Sequence, residues 1–332
     1  MIFRVLLAFC CAVTGAAAVS TDAVSAEPVR LATTAFGVSA EIEVRDLPRP
    51  EAEAAARRAL QILFEIGQLA DAASAIPGGV GELNAAAGQG PRAIADYTAE
   101  LLLRGLQICY WSSGAHGPLG GELRRVWRAA GYPNGEDLRN AVLSADCSLL
   151  ALSGGDPPQG ELQAGSRIDT SWLARGFAID RAAESLDKDG VGNAWLEIGP
   201  VQRGMGGGPE GLGWPLRLPP APGADEPADR LWLVDQAATV VEGSENDAAT
   251  RIFDQRTGVP PRGVVMVAVV AEQAWNAEAL ASSLFVLGLR DGQLRLGGYR
   301  PRPSIFWLLG EGDGAPLQST YQWSELRRMP RR

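Results

Sequence analysis

Two stretches of this chain pair a strand-like run with a turn and a helix whose polar groups share one face. In the second, Glu278 and Ser282 stand four residues apart inside Asn276–Leu287, so a helix puts them on one side. A carboxylate and a hydroxyl at that spacing can hold one hard cation of the magnesium type, which takes oxygen ligands and often shares them with phosphate. The same two residues also read as a solvated glutamate and an ordinary helix serine. In the first stretch, Ile168-Asp169-Thr170 runs from a strand into a helix that carries Arg175. A strand-to-helix junction exposes backbone N–H groups at a helix N-terminus and suits a bound anion. Arg175 adds a permanent cation that grips phosphate in two-pronged fashion and cannot act as a base. The bland alternative is an Asp169 helix cap with a solvated arginine.

Scarcity narrows the chemistry further. The 332 residues contain one histidine, His116, and one lysine, Lys188. A histidine-rich zinc or iron site is excluded. Lys188 sits in the turn-like Asp187-Lys188-Asp189-Gly190 and reads as solvated, so Schiff-base catalysis has no good candidate. His116 follows Gly114-Ala115 without a nucleophile-elbow motif, which removes the Ser-His-Asp reading. Carboxylate, hydroxyl, arginine and backbone chemistry remain. A formal net charge of −9 without a basic block argues against nucleic acid and against docking on anionic lipid.

The N-terminus has Arg4, the apolar run VLLAFCCAV and Val24-Ser25-Ala26, a small-x-small cleavage pattern. It reads as a secretory signal over 1–26, too short in its apolar core to span a bilayer. The mature chain then begins near Glu27 in the periplasm. Cys10 and Cys11 follow no convincing lipobox, and no later stretch is apolar enough to cross a membrane. Loss of Arg4 and Asp22 leaves the charge balance unchanged. Cys109 and Cys147 remain, without metal-ligand spacing; in an oxidising compartment they can pair, or stay as two buried thiols.

The elements that must position these residues read as an α+β chain of mixed sheets with packed helices. Val29–Val44 alternates as a strand pair turning at Phe36-Gly37. Helices are expected over 50–73, 93–108, 122–130, 170–186 and 276–287. Strands are expected within 148–168 and over 193–198, 231–241 and 263–270, the last apolar throughout. Residues 77–90 read as a loop, 204–229 as Gly- and Pro-rich loop, and 326–332 as a frayed tail after a single domain, 27–325.

In this order the segments resemble the bacterial flavin transferases of the ApbE family. Asp254-Gln255-Arg256-Thr257-Gly258 resembles that family's Asp-Pro-Arg-Thr-Gly loop, just before a buried strand and a helix ending Leu284-Phe285-Val286-Leu287-Gly288. Glu278-Ala279-Leu280-Ala281-Ser282-Ser283 resembles its Asp-Ala-Leu-Ala-Thr-Ala. Arg175-Gly176-Phe177-Ala178-Ile179-Asp180 resembles its Lys-Gly-Tyr-Ala-Val-Asp. Glu82-Leu83-Asn84 matches a Ser-Glu-Leu…Asn loop, and Phe36-Gly37 a Met-Gly.

The resemblance implies a T-fold-like flavin transferase architecture. It also implies Mg²⁺-dependent transfer of FMN from FAD onto a threonine or serine of a partner protein. Magnesium falls to Glu278, Ser282 and the backbone carbonyl of Trp172. FAD contacts fall to Phe36, Ala115, His116, Gly117, Asp169, Arg175 and Thr257. The catalytic positions fall on Asp254 and Arg251. Departures are plain. Arg251 replaces the family's histidine, Gly117 an aspartate, and Glu197-Ile198-Gly199-Pro200-Val201 an Asn-Ile-Gly-Gly-Asp. Val241-Glu242-Gly243-Ser244 only loosely matches a Thr-Ser-Gly. Pro200 stiffens a loop where paired glycines let backbone approach a ligand. Two other readings therefore stand beside transfer: a flavin-binding relative that no longer transfers, and a secreted interaction module on the same scaffold.

Overall fold

The structure, a computed structural model, describes residues 27–131, 133–243, 252–310 and 316–330. The leader reading, Ser244 and Arg251 lie outside the described residues. In chain order the elements are β1 (Val29–Ala35), β2 (Val38–Val44), α1 (Arg49–Ala70), α2 (Val80–Ala85), β3 (Arg92–Ala93), α3 (Asp96–Trp111), α4 (Gly121–Ala130), α5 (Gly135–Leu143), β4 (Leu150–Ser153), β5 (Gln159–Leu162) and α6 (Ala174–Lys188). They continue with β6 (Ala194–Ile198), β7 (Val201–Met205), β8 (Trp214–Arg217), β9 (Arg230–Leu233), β10 (Gln236–Glu242), β11 (Val264–Ala271), α7 (Ala274–Leu296), β12 (Ser304–Leu309) and β13 (Leu317–Tyr321). This is the α+β arrangement the sequence predicts.

One antiparallel sheet organises it, in the order β1-β2-β6-β7-β10-β11-β12-β13. Phe36 and Gly37, at φ 55° and 74°, make the two-residue turn whose twist matches the flanking strands. β11 explains its unbroken apolar run by being buried on both faces. Val267 and Val269 pack under α7, while Met266, Ala268 and Val270 pack against the β8–β9 hairpin and Trp323. Alternate side chains of a strand point to opposite faces, so both sets must be hydrophobic. On the α7 side, α1 and α6 cover β1, β2 and β6. Ala52, Ala55, Ala56, Ala59 and Leu63 of α1 form the helical stripe in that core.

Several boundaries differ from the sequence reading. The expected 231–241 strand is two strands, because the chain reverses at Asp235, φ 51°, and β9 pairs with β8 rather than with the large sheet. The 204–229 loop therefore contains β8. Residues 80–85 of the expected 77–90 loop are helix α2. α6 begins at Ala174 rather than at residue 170. α7 outruns residue 287 but is broken at Gly288, φ 70°. The tail does not fray as far as residue 330: Trp232 N–H donates to the Arg327 carbonyl at 2.8 Å and Met329 N–H to that of Arg230 at 3.0 Å. Cys109 on α3 and Cys147 form a disulfide, with Cα atoms 6.5 Å apart.

Helices α6 and α7 cap one another. Asp180 of α6 accepts the N–H groups of Ala274 and Trp275, both at 2.9 Å. Glu278 of α7 accepts the N–H of Gly176 at 2.8 Å. Each carboxylate satisfies first-turn donors that a helix cannot satisfy itself.

Candidate functional site

A cavity of about 1330 Å³ opens between the β1–β2 turn, the end of α1, α4 and the start of α6. Phe36, Asp169, Trp172, Arg175 and Ser282 reach its wall, so the fold gathers five of the sequence-predicted site positions. Phe36 gets there through its left-handed turn; its ring lies over Gly67 of α1.

Asp169 is built into the junction before α6. Asn84 grips the preceding residue, accepting Ile168 N–H at 2.7 Å and donating to its carbonyl at 3.1 Å. This gives the Glu82-Leu83-Asn84 motif a scaffolding role within α2. The Asp169 carboxylate accepts Ser171 N–H at 3.0 Å and pairs with Arg124 of α4. Burial pushes this carboxyl up, but Arg124 and the Ser171 groups outweigh it and hold it below the ordinary aspartate range. Asp169 is thus an anion at neutral pH. Trp172 donates its indole N–H to the Asp169 carbonyl at 3.0 Å.

Glu278 turns away from the cavity. It is 1% exposed, and its Oε1 accepts Arg175 Nε at 2.7 Å while Oε2 accepts Gly176 N–H. Gly176 makes this contact possible, because a Cβ there would stand 2.3 Å from the Ala274 carbonyl oxygen. Ser282, one turn on, does face the cavity. The shared helix face is real, yet only one of its two polar groups opens to ligand.

The 115–117 segment and the 254–258 loop form a separate corner. Ala115 is fully buried in an apolar cluster with Val286 and Leu287, so its side chain is core rather than cavity wall. His116 and Gly117 line a small cavity of about 30 Å³ beside Asp169, Trp172 and Gln255. A Cβ at Gly117 would lie 2.5 Å from Cys109 Sγ; the half-cystine takes the room an aspartate side chain would need. Gln255 N–H donates to the Ala115 carbonyl at 3.0 Å and its Nε2 to the Gly117 carbonyl at 2.7 Å. Residues that depart from the resembled motifs therefore touch one another. Asp254 holds its own loop. Its carboxylate accepts Arg256 Nε at 2.9 Å and Nη2 at 2.6 Å, and its carbonyl accepts Gly258 N–H at 2.6 Å. Thr257 is exposed, and neither it nor Asp254 lines the large cavity.

His116 is 6% exposed, packs edge-on against Trp172 with ring centroids 4.5 Å apart, and has neither ring nitrogen hydrogen-bonded. Burial lowers its pKa to about 4, against the raising pull of Asp169 and Asp254 and with the help of Arg124. The unfolded imidazole takes its proton near 6.5, so the unfolded state binds more protons between there and 4. His116 thus lends stability that is fully present above pH 6.5 and is lost as pH falls toward 4, on the order of 3 kcal/mol. Denaturant unfolding of His116→Phe beside the wild type from pH 7 to 4 should show the wild type losing this much more. Parallel pH curves would refute the buried neutral imidazole.

The sequence reading missed the arginines. Arg124, Arg125 and Arg128 of α4, with Arg167, line the same cavity as Arg175. Positions 124 and 128 are one helical turn apart and share a face, but that spacing alone does not tell a ligand-facing pair from a solvated one. The Gly199-Pro200 departure makes a tight turn, since Ile198 pairs with Val201 across the β6–β7 hairpin and Gly199 has φ 56°.

Comparison with known proteins identifies the family and the fold. The ApbE family model matches residues 36–298. The FAD:protein FMN transferase of Treponema pallidum is 26% identical over 266 residues, covering 72% of this chain and 74% of that protein. The fold matches the flavin transferase ApbE of Vibrio cholerae with TM-score 0.78 at 20% identity, over 89% of this chain and 97% of that one. It matches the ApbE protein of Thermotoga maritima with TM-score 0.77 at 22% identity, over 91% and 100%. With the sequence match spanning most of the chain and the same fold beneath it, this chain belongs to the ApbE family.

Proposed function

We propose that this chain transfers FMN from FAD onto a threonine or serine hydroxyl of a partner protein in the periplasm. The observation that carries the reading is the convergence of Phe36, Asp169, Trp172, Arg175 and Ser282 on one large cavity beside an arginine-bearing helix. At about 1330 Å³ it exceeds the ~300–1,000 Å³ typical of small-ligand pockets, leaving room for an extended dinucleotide. The name of the Treponema pallidum relative supports FAD as donor and a protein as acceptor. The Cys109–Cys147 bridge supports an oxidising compartment, and no helix among the described residues is long and apolar enough to cross a membrane.

In this reaction the acceptor oxygen attacks the phosphorus on the FMN side of the pyrophosphate. That new P–O bond replaces the bridging one, AMP leaves with the bonding electron pair, and the hydroxyl proton is released. Phosphoryl transfer of this kind depends mainly on positioning and charge neutralisation. Arg175 and the α4 arginines supply the charge, and Phe36 and Trp172 supply apolar surface for the flavin. Asp254 holds the adjoining loop through the hydrogen bonds described above, and Thr257 adds its N–H to the Asp254 carbonyl at 3.1 Å.

The family resemblance implies magnesium, acting as a charge-neutralising Lewis acid on the pyrophosphate. The residues as placed do not fit it. Glu278 is turned from the cavity with Oε1 against the Arg175 guanidinium and Oε2 on Gly176 N–H, so a cation in the cavity would meet only Ser282 and a backbone carbonyl.

A flavin-binding relative without transfer has its own supporting observation, the Cys109 sulfur filling the space beside Gly117. Incubating the mature protein with FAD and a periplasmic extract separates the readings. Transfer predicts AMP by chromatography together with covalent flavin on an acceptor band. FAD binding without AMP would leave a binding protein, and no FAD binding a bare scaffold.

A further inference from the structure

We propose that Arg175, held in place by Glu278, is a built-in counter-charge for the ligand's diphosphate, so that this site takes its nucleotide without a divalent cation. The inference rests on the flavin transferase reading and concerns how that site neutralises phosphate.

Glu278 carries the only carboxylate that the resemblance offers a metal, and it is buried and already paired with a cation. It is 1% exposed, with Oε1 on Arg175 Nε at 2.7 Å and Oε2 on Gly176 N–H at 2.8 Å. Magnesium demands near-octahedral oxygen ligands at about 2.0–2.1 Å. An ion seated on Oε1 would stand against the guanidinium, two cations in contact inside the protein. Seating it requires breaking a buried ion pair, which is strongly unfavourable. Among the described residues no cluster of three or more His, Cys, Asp or Glu offers a replacement cage.

The guanidinium is suited to the substitution. It has five N–H donors in a planar fork, so one edge can hold a carboxylate while another binds phosphate. Arg175 uses Nε on Glu278; among the described residues its Nη groups have no other partner, and the side chain is 25% exposed on the cavity wall. A lysine ammonium is a single point charge and has no second edge. The wall around it is cationic. Arg124, Arg125, Arg128 and Arg167 face the same space, against Asp71, Asp169 and Glu242, and Asp169 is already paired with Arg124.

Calorimetric titration of the mature protein with FAD and with inorganic pyrophosphate, in EDTA and in excess Mg²⁺, tests this. Mg²⁺ should change either dissociation constant by less than about threefold. Glu278→Gln should bind as tightly as wild type or tighter, because Arg175 loses its neutralising neighbour. The double variant Arg175→Met/Glu278→Gln removes both charges together, which folds tolerate, and should weaken both ligands at least ~tenfold. Should that variant misfold, Arg175→Lys keeps the pairing with Glu278 and should still weaken both ligands severalfold.

Tightening by Mg²⁺ of ~tenfold or more, or weakened binding by Glu278→Gln, would overturn the proposal while leaving FMN transfer intact. Metal-free, Arg175-dependent pyrophosphate binding without FAD binding would do the reverse. Failure of both ligands to bind would sink both.

Discussion

Asp180→Ala should cost about 2–4 kcal/mol of folding stability, because it strips the partner from a half-buried arginine and from two buried helix donors at once. Asp180 is 4% exposed. Its Oδ1 accepts Arg203 Nη1 at 2.8 Å and Ala274 N–H, and its Oδ2 accepts Trp275 N–H. Among the described residues, truncation leaves the guanidinium with only the Glu272 carbonyl, and it uncaps α7. Denaturant unfolding would measure the loss, and a cost under about 1 kcal/mol, the range of exposed pairs, would show that the cluster is not coupled. Asp180→Asn should cost less, since an amide oxygen still caps the helix. The pair of variants also has a pH signature. Burial, outweighing Arg203 and the helix donors, pushes the Asp180 carboxyl up to about 6. The folded state then keeps a proton that the unfolded chain has released. Wild-type stability should therefore fall relative to Asp180→Asn as pH rises from about 4 through 6, opposite in sign to the contribution of His116.

Gly176→Ala should destabilise the protein by about 2 kcal/mol or more. The added Cβ would lie 2.3 Å from the oxygen and 2.5 Å from the carbon of the Ala274 carbonyl, and 2.7 Å from Trp275 Cα. These are backbone atoms that no rotamer change can move. Glycine-to-alanine exchange inside a helix ordinarily stabilises by about 0.5–1 kcal/mol, so sign alone decides the experiment. The overlap must push α6 from α7, and Glu278 then loses its reach to Arg175 and Gly176. Thermal or denaturant unfolding that shows Gly176→Ala equal to or more stable than wild type would refute the close approach. A loss of stability with FAD affinity falling in step would tie the helix contact to the cavity.

The fold class and the principal helices were legible because their signals are local and periodic. The helix over 50–73, the Phe36-Gly37 turn and the β11 apolar run each read correctly without partners, although Phe64, at helical spacing with Leu60, is exposed. α5 was missed because Asn134-Gly135-Glu136 resembles a turn; in the fold Asn134 accepts N–H bonds from Glu136 and Asp137 and caps the helix. β12 and β13 carry no motif and were not read. At the site, the motif positions on the α6 junction and Ser282 were legible, whereas the state of Glu278 was not. Its partner Arg175 is 103 positions away in sequence, and spacing within one helix cannot show that a carboxylate is already engaged. The α4 arginines were hidden for a related reason: a charged helix face reads as solvated until the fold closes a cavity over it. The Gly117 departure, a loss in sequence, is in space a consequence of Cys109.

The strand order has a consequence for how the chain comes into being. β2 does not pair inward with the next strand made but with β6, Ala40 opposite Ile198. The N-terminal hairpin therefore waits at the ribosome with an open edge until Ala194–Ile198 has been synthesised. Non-local pairing of this kind is slow, since loop closure must be met before contacts reward it. A chain that cannot complete its sheet early keeps an unpaired strand edge exposed for longer during synthesis.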